Sequence, residues 1–140
     1  FNSLEAAKEY GGVTRLNGKF YSNYEKDSNI TLKDGINKLS VIVPSTVDAD
    51  THIDNREYVE KYLLLLAEKY SDIEIEKSIG SWYSDDLNKV IIEENCIITI
   101  SIENANVKDI NYLLELGAKI KNDMTQEAVS VLINDSLCLV

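Results

Sequence analysis

The residues best suited to chemistry gather in one stretch, Gly80-Ser81-Trp82-Tyr83-Ser84-Asp85-Asp86, with Glu93-Glu94 a few positions on. It holds the only tryptophan, an adjoining tyrosine, an acidic pair and a second acidic pair inside an apolar run. A Gly-Ser loop followed by carboxylates is raw material for Mg²⁺-dependent nucleotidyl transfer, which needs side chains two apart on a strand to reach one ion. Asp85 and Asp86 are adjacent, as are Glu93 and Glu94, so on a strand each pair points apart. Trp82-Tyr83 is the better candidate, because aromatic residues at loop or strand ends anchor protein interfaces or stack on a planar base. Arg56 or Lys89 would then supply charge to a nucleotide-like ligand. The plain alternative is a tryptophan that plugs the core or a dimer seam.

Other chemistries are poorly provided for. His52 is the only histidine and falls in a polar loop, where it reads as a solvated side chain. With no Gly-x-Ser-x-Gly, a Ser-His-Asp hydrolase has no parts. Two cysteines and one histidine do not build a common zinc site. Gly11-Gly12 lacks the spacing of a phosphate-cradling loop. Cys96 and Cys138 sit in apolar strand-like runs and read as buried thiols, with a disulfide between paired strands as the alternative. No catalytic residue, metal or cofactor is predicted, and the balance leans against an enzyme.

Formal charge is −10. The first 37 residues are neutral, so the imbalance lies wholly in residues 38–140, nine basic side chains against nineteen acidic. Such a surface repels phosphate backbones and attracts a basic protein. No apolar run approaches a membrane span. The expectation is a cytoplasmic chain, or a secreted one if a leader was removed ahead of Phe1.

These residues must be positioned by the elements around them. Ser3 to Gly12 reads as a short helix, and Val13 to Tyr21 as a hairpin turning at Asn17-Gly18. Residues 22–37 read as a polar loop or arm, and Tyr21 and Tyr24 are expected to pack on the main domain. Leu39, Val41 and Val43 share one face of a strand ended by Pro44. Residues 45–55 read as a polar loop. Asp54 and Glu57 have capping-box spacing before a helix to about Tyr70, with Val59, Tyr62, Leu63, Leu66 and Tyr70 as its stripe. Ile73-Glu74-Ile75-Glu76 alternates as a strand, and Gly80 to Lys89 reads as a connection. In the next run Val90, Ile92, Cys96, Ile98, Ile100 and Ile102 share one parity with Glu94. A bulge at Glu94-Asn95 would relieve that buried charge, and a functional carboxylate would be the sharper explanation. Asn106 caps a second helix whose inner face is Val107, Ile110, Leu113, Leu114, Gly117, Ile120 and Met124. Val129 to Ile133 and Leu137 to Val140 are strands about a turn at 134–136.

The order predicts an α+β fold: a ferredoxin-like βαββαβ plait over residues 38–140, with an extra C-terminal strand and residues 1–37 as a helix and hairpin arm. Ile42, Ile91 and Ile97 lie on the parity away from the helices, so the arm or a second copy, in a homodimer or higher homo-oligomer, is expected to cover that face. Gly80-Ser81-Trp82, Val90-Ile91-Ile92-Glu93 and Gln126-Glu127-Ala128-Val129 together resemble the pattern of a small family of uncharacterised bacterial domains, over roughly residues 39–134. That resemblance implies a ferredoxin-like plait and no activity. The leading functional expectation is a non-enzymatic acidic inhibitor of a basic partner, of the toxin-immunity or phage counter-defence kind. The alternatives are an oligomer that sequesters a nucleotide-like ligand with Trp82 and Tyr83, and a Mg²⁺ enzyme using Asp85, Asp86, Glu93 or Glu94.

Overall fold

The β-branched runs around Val41 and Ile98 become neighbouring strands in the middle of the molecule. The computed structural model describes residues 13–16, 19–22, 32–47 and 51–140. In chain order the elements are β1 (Val13–Leu16), β2 (Lys19–Ser22), β3 (Ile36–Val43), β4 (Thr46–Val47), β5 (Thr51–His52), α1 (Arg56–Ala67), β6 (Ile73–Ser84), β7 (Lys89–Glu103), α2 (Val107–Asp123), β8 (Ser130–Ile133) and β9 (Ser136–Leu139). Five strands form one antiparallel sheet in the order β6-β7-β3-β8-β9. The pairs β1-β2 and β4-β5 stand as separate ribbons, the second inside a segment expected to be plain loop. Leu16 pairs with Lys19, and the turn expected at Asn17-Gly18 lies outside the described residues. The helix expected over residues 3–12 and the arm around Tyr24 lie outside the described residues.

Strand alternation sends Leu39, Val41 and Val43 to one face, opposite Ile100, Ile98 and Cys96 of β7. Val131 and Ile133 of β8 continue that face. Val59, Tyr62 and Leu66 of α1 and Ile110, Leu113, Leu114 and Ile120 of α2 close the core over it. The apolar stripes of both helices are largely those the sequence predicts, although Val107 at the start of α2 is exposed.

Tyrosines tie the two helices together. Tyr62 donates to Asp123 at the end of α2 (3.0 Å), and Tyr70, just past α1, donates to Asp109 in the first turn of α2 (2.8 Å). The helices therefore run antiparallel. Burial first, and the carboxylate acceptors second, push both hydroxyls well above the ordinary phenol range. Asp109 also accepts from the Asn106 amide, and the Asn106 side chain accepts from Lys108, completing the cap expected there. Burial works against the Asp123 carboxylate. Hydrogen bonds from Lys61 and Tyr62 and the nearby Lys119 charge outweigh it and hold Asp123 below the usual carboxylate value.

Three local expectations are corrected. At α1 the Asp54–Glu57 capping box does not form: Asn55 is the N-cap, without a side-chain cap bond, and Asp54 accepts from the Arg56 amide instead. The Asn55 side chain donates to the Pro44 and Val43 carbonyls, so it ties the end of β3 to the start of α1. No bulge interrupts β7 at Glu94-Asn95, since its register with β6 runs unbroken from Ile73↔Ile100 to Ser84↔Lys89. The span from Gly80 is strand as far as Ser84, and the turn occupies 85–88, with Asn88 at φ 54°.

The helices are shorter than the hairpin they cover. The 15 residues of β7 run about 50 Å, whereas the 12 residues of α1 span about 18 Å. Val90 and Ile92 share the core parity yet are 60% and 63% exposed, because no described helix reaches them.

α2 packs tightly on the sheet at Gly117, where a built Cβ would lie 2.9 Å from Val131 Cγ2. Valine has little rotamer freedom with which to yield. Gly117→Ala gains about 1 kcal/mol of helix propensity but overpacks the contact by about 1–3 kcal/mol, so chemical denaturation is expected to show a net loss of about 1 kcal/mol. Adding Val131→Ala should cancel part of the clash, seen as non-additivity in a double-mutant cycle. Because the Asp123 carboxyl is depressed in the fold, its contribution is complete above its unfolded value, near 3.8, and is lost as pH falls through the lower folded value. Asp123→Asn should lower the melting temperature at neutral pH, and the gap from the native protein should narrow as pH falls below the unfolded carboxyl value.

Candidate functional site

The exposed half of the hairpin and the start of α1 enclose a groove of about 910 Å³. Ile75, Ile79 and Ile92 line it from the hairpin, Ile53 from just after β5, and Val59 and Leu63 from α1. The hairpin side follows from register: Ile75 pairs with Ile98, Lys77 with Cys96, Ile79 with Glu94 and Ser81 with Ile92, all on the face that carries the helices. The α1 side is set by Asn55, whose hold on the end of β3 brings Arg56 and Val59 alongside β7. Ser45 contributes to the same junction by accepting from the Glu94 amide (3.1 Å).

Charged side chains frame the apolar lining. Asp54, Glu60 and Glu94 bring three carboxylates, against Arg56 and Lys77, while Glu76 borders the groove with its side chain on the Trp82 face. Lys77 and Glu94 are 3.3 Å apart, but both are solvent-exposed, so that pair stabilises the fold little. Burial pushes the Cys96 thiol up, and Lys77 only partly offsets it, so at neutral pH the sulfur serves as a neutral, apolar wall atom. His52 lies exposed in β5 beside the groove. Burial alone pushes the distant Cys138 thiol up to about 11; both cysteines are free.

The structure divides the residues singled out by sequence. Arg56 and Glu94 line the groove. Tyr83 shares that face but sits nearer the hairpin tip, opposite Val90, with its hydroxyl on Asn88. Trp82 pairs with Ile91 on the other face, where its indole N–H donates to Glu93 Oε1 (3.2 Å), and Thr46 donates to the same oxygen (3.4 Å). Asp85 and Asp86 are exposed in the turn, and Lys89 is exposed beside it. The Trp82-Tyr83 stacking platform is therefore not formed: both residues are in a strand rather than a loop, and strand alternation parts their rings. The Mg²⁺ arrangement is not formed either. Glu93 and Glu94 face opposite ways, and the aspartates are at the tip. Among the described residues no three His, Cys, Asp or Glu side chains come together as metal ligands.

Sequence reasoning missed Ser45, Asn55, Glu60, Lys77 and Ile79. Lys77 left a signal, since it breaks the Ile-Glu alternation with a charge on the apolar parity. Ser45 and Asn55 left none, because their partners are remote in sequence.

The fold and groove define an α+β domain with two helices on one face of an antiparallel sheet. Neither a protein-family model nor a curated protein matches the chain. Two solved structures are similar to it: a phage SAM lyase in complex with S-methyl-5′-thioadenosine, at TM-score 0.55, and a phage SAM lyase in the apo state, at TM-score 0.54. Both are 18% identical over 76% of this chain, covering 88% and 87% of theirs. At that identity the likeness is one of fold. It overturns the expectation of a non-enzymatic inhibitor for a basic protein, since the fold neighbours are enzymes and one holds a nucleoside-like small molecule. Negative charge here borders a concave apolar groove, a shape suited to a small ligand. Among the described residues no helix is long and apolar enough to cross a membrane.

Trp82 reports directly on its contact with Glu93. Glu93→Ala is expected to shift its fluorescence to the red and increase acrylamide quenching, and Thr46→Val to do so more weakly. Glu94→Ala, on the other face, should leave the emission where it is.

Proposed function

We propose that the groove binds an adenosyl sulfonium, S-adenosylmethionine, and that the protein cleaves it to S-methyl-5′-thioadenosine. The observation that carries this reading is the groove itself: an apolar lining for a nucleoside, bordered by three carboxylates and two cations. That balance disfavours a phosphorylated nucleotide and favours a ligand with a positive centre, because like charges in a partly desolvated site repel strongly. The fold shared with phage SAM lyase supports the same chemical class. Cleavage to the thioether returns the C–S bonding pair to sulfur and abolishes the sulfonium charge. The amino-acid fragment is then balanced by closing on its own carboxylate or by losing a proton. Glu94 and Glu60 are the groove carboxylates we assign to holding the cation, and Arg56 to the ligand's carboxylate.

The sheet order supports reading this domain as a ferredoxin-like plait. With β3, β6, β7 and β8 counted as strands one to four, they lie in the order 4-1-3-2, and β9 adds a strand outside the fourth. The residues ahead of β3, which begins at Ile36 rather than Lys38, would be an arm attached to it.

Incubation with S-adenosylmethionine, followed by chromatography, is expected to release S-methyl-5′-thioadenosine. In thermal shift, S-adenosylmethionine should stabilise the protein and AMP should not. Removing one carboxylate about 4 Å from the sulfonium forfeits on the order of 1 kcal/mol in a solvated site. Glu94→Gln should therefore weaken S-adenosylmethionine about fivefold and leave the uncharged thioadenosine nearly unchanged. Binding without product would reduce the reading to sequestration of the ligand. Absence of both would remove it.

A further inference from the structure

β6 is an edge strand, and its outer side has no partner strand among the described residues. Native edges are commonly blunted by proline, bulges or charge. β6 has no proline, its register with β7 contains no bulge, and its charged residues, Glu74, Glu76 and Lys77, all lie in its first five positions. It is 12 residues long, about twice the usual strand. Its exposed side chains include Ile75, Ile79, Trp82 and Tyr83, and Ile79 is 77% exposed.

We propose that β6 pairs antiparallel with β6 of a second copy, across a two-fold axis at Ile79, joining two sheets into one. Such a two-fold places opposite each other residues of equal parity, so few registers exist. An axis at Glu76 or Lys77 sets that charge against itself, and one at Ile75 sets Glu74 against the partner's Glu76. Like charges directly opposite are destabilising. An axis at Ser78 sets Lys77 against the partner's Ile79. With the axis at Ile79, Ile79 meets its own copy and Ile75 meets the partner's Tyr83, both on the groove face. Lys77 then meets the partner's Ser81, and Glu76 meets the partner's Trp82. No like charges oppose each other, and all of β6 except Ile73 is engaged. The partner strand would also border the open outer side of the groove beside Ile75 and Ile79. The pairing rests on the edge strand alone and stands whether or not the groove binds the proposed ligand.

The test is an Ile79→Cys variant of the full chain. Residues opposite in an antiparallel pair have Cα atoms about 5 Å apart, within disulfide reach. The partner's Lys77 would be about 13 Å from Lys77 along the strands. Under mild oxidation Ile79→Cys is expected to convert mostly to a covalent dimer, while Lys77→Cys and the native chain do not. By analytical ultracentrifugation at tens of micromolar the native chain should sediment as a dimer. Ile79→Lys should shift it to monomer with unchanged circular dichroism, because the site is on the surface. A monomeric or trimeric native chain would overturn the proposal. So would equal crosslinking at positions 77 and 79, or a dimer that Ile79→Lys leaves intact.

Discussion

A length mismatch governs this molecule. Backbone in a strand advances about 3.3 Å per residue and in a helix about 1.5 Å, so two helices of ordinary length do not cover a long hairpin. Where α1 and α2 lie, the sheet face is buried and the side chains are core. Beyond α1 the same face, with the same parity and the same residue types, is bare. The apolar groove lining, the uncovered half of β6 and the exposure of Val90 and Ile92 all follow from that one disparity.

Directional bonds as well as apolar packing hold the covered half together. The Tyr62–Asp123 and Tyr70–Asp109 hydrogen bonds set the antiparallel relation of the helices at both ends of α2. Gly117 lets α2 pack on Val131 more closely than any other residue would. At the base of the hairpin, Ser45 and Asn55 fix where β3 ends and α1 begins. The groove is thus built on a rigid wall, the α1 side, and a projecting one, the hairpin. Its polar margin comes from residues on which the fold does not depend. Glu60 and Glu94 make no buried bond through their side chains, and the Lys77–Glu94 contact is solvated. Charge that is not spent on the fold is available to a ligand.

The acidic surplus belongs to the main domain, as the sequence implies, but a flat protein-binding face is the wrong object to attach it to. Net charge describes how a surface attracts, and it does not distinguish a face that meets a protein from the margin of a cleft. That distinction needs curvature, which arises only when β6 and β7 project past α1. The paired motifs fail for a related reason. Trp82 with Tyr83 and Glu93 with Glu94 are neighbours in the chain, and a loop would have kept them together. The strand continues through Gly80 to Ser84, and its period of two sends each pair to opposite sides.

The sequence by itself determined both helices, the main strands of the sheet and most of their inner faces: alternation of β-branched residues marked the strands, 3.6-residue spacing marked both helices, and Asn106 with Asp109 marked the start of α2. These are local signals, set by backbone geometry within a few residues. The tertiary structure alone decided which apolar residues would be covered, which carboxylates would share a groove, and that Asn55 would hold Pro44 rather than cap its own helix. Those outcomes depend on contacts between segments far apart in the chain, and on how far one element extends beyond another, which no local pattern records.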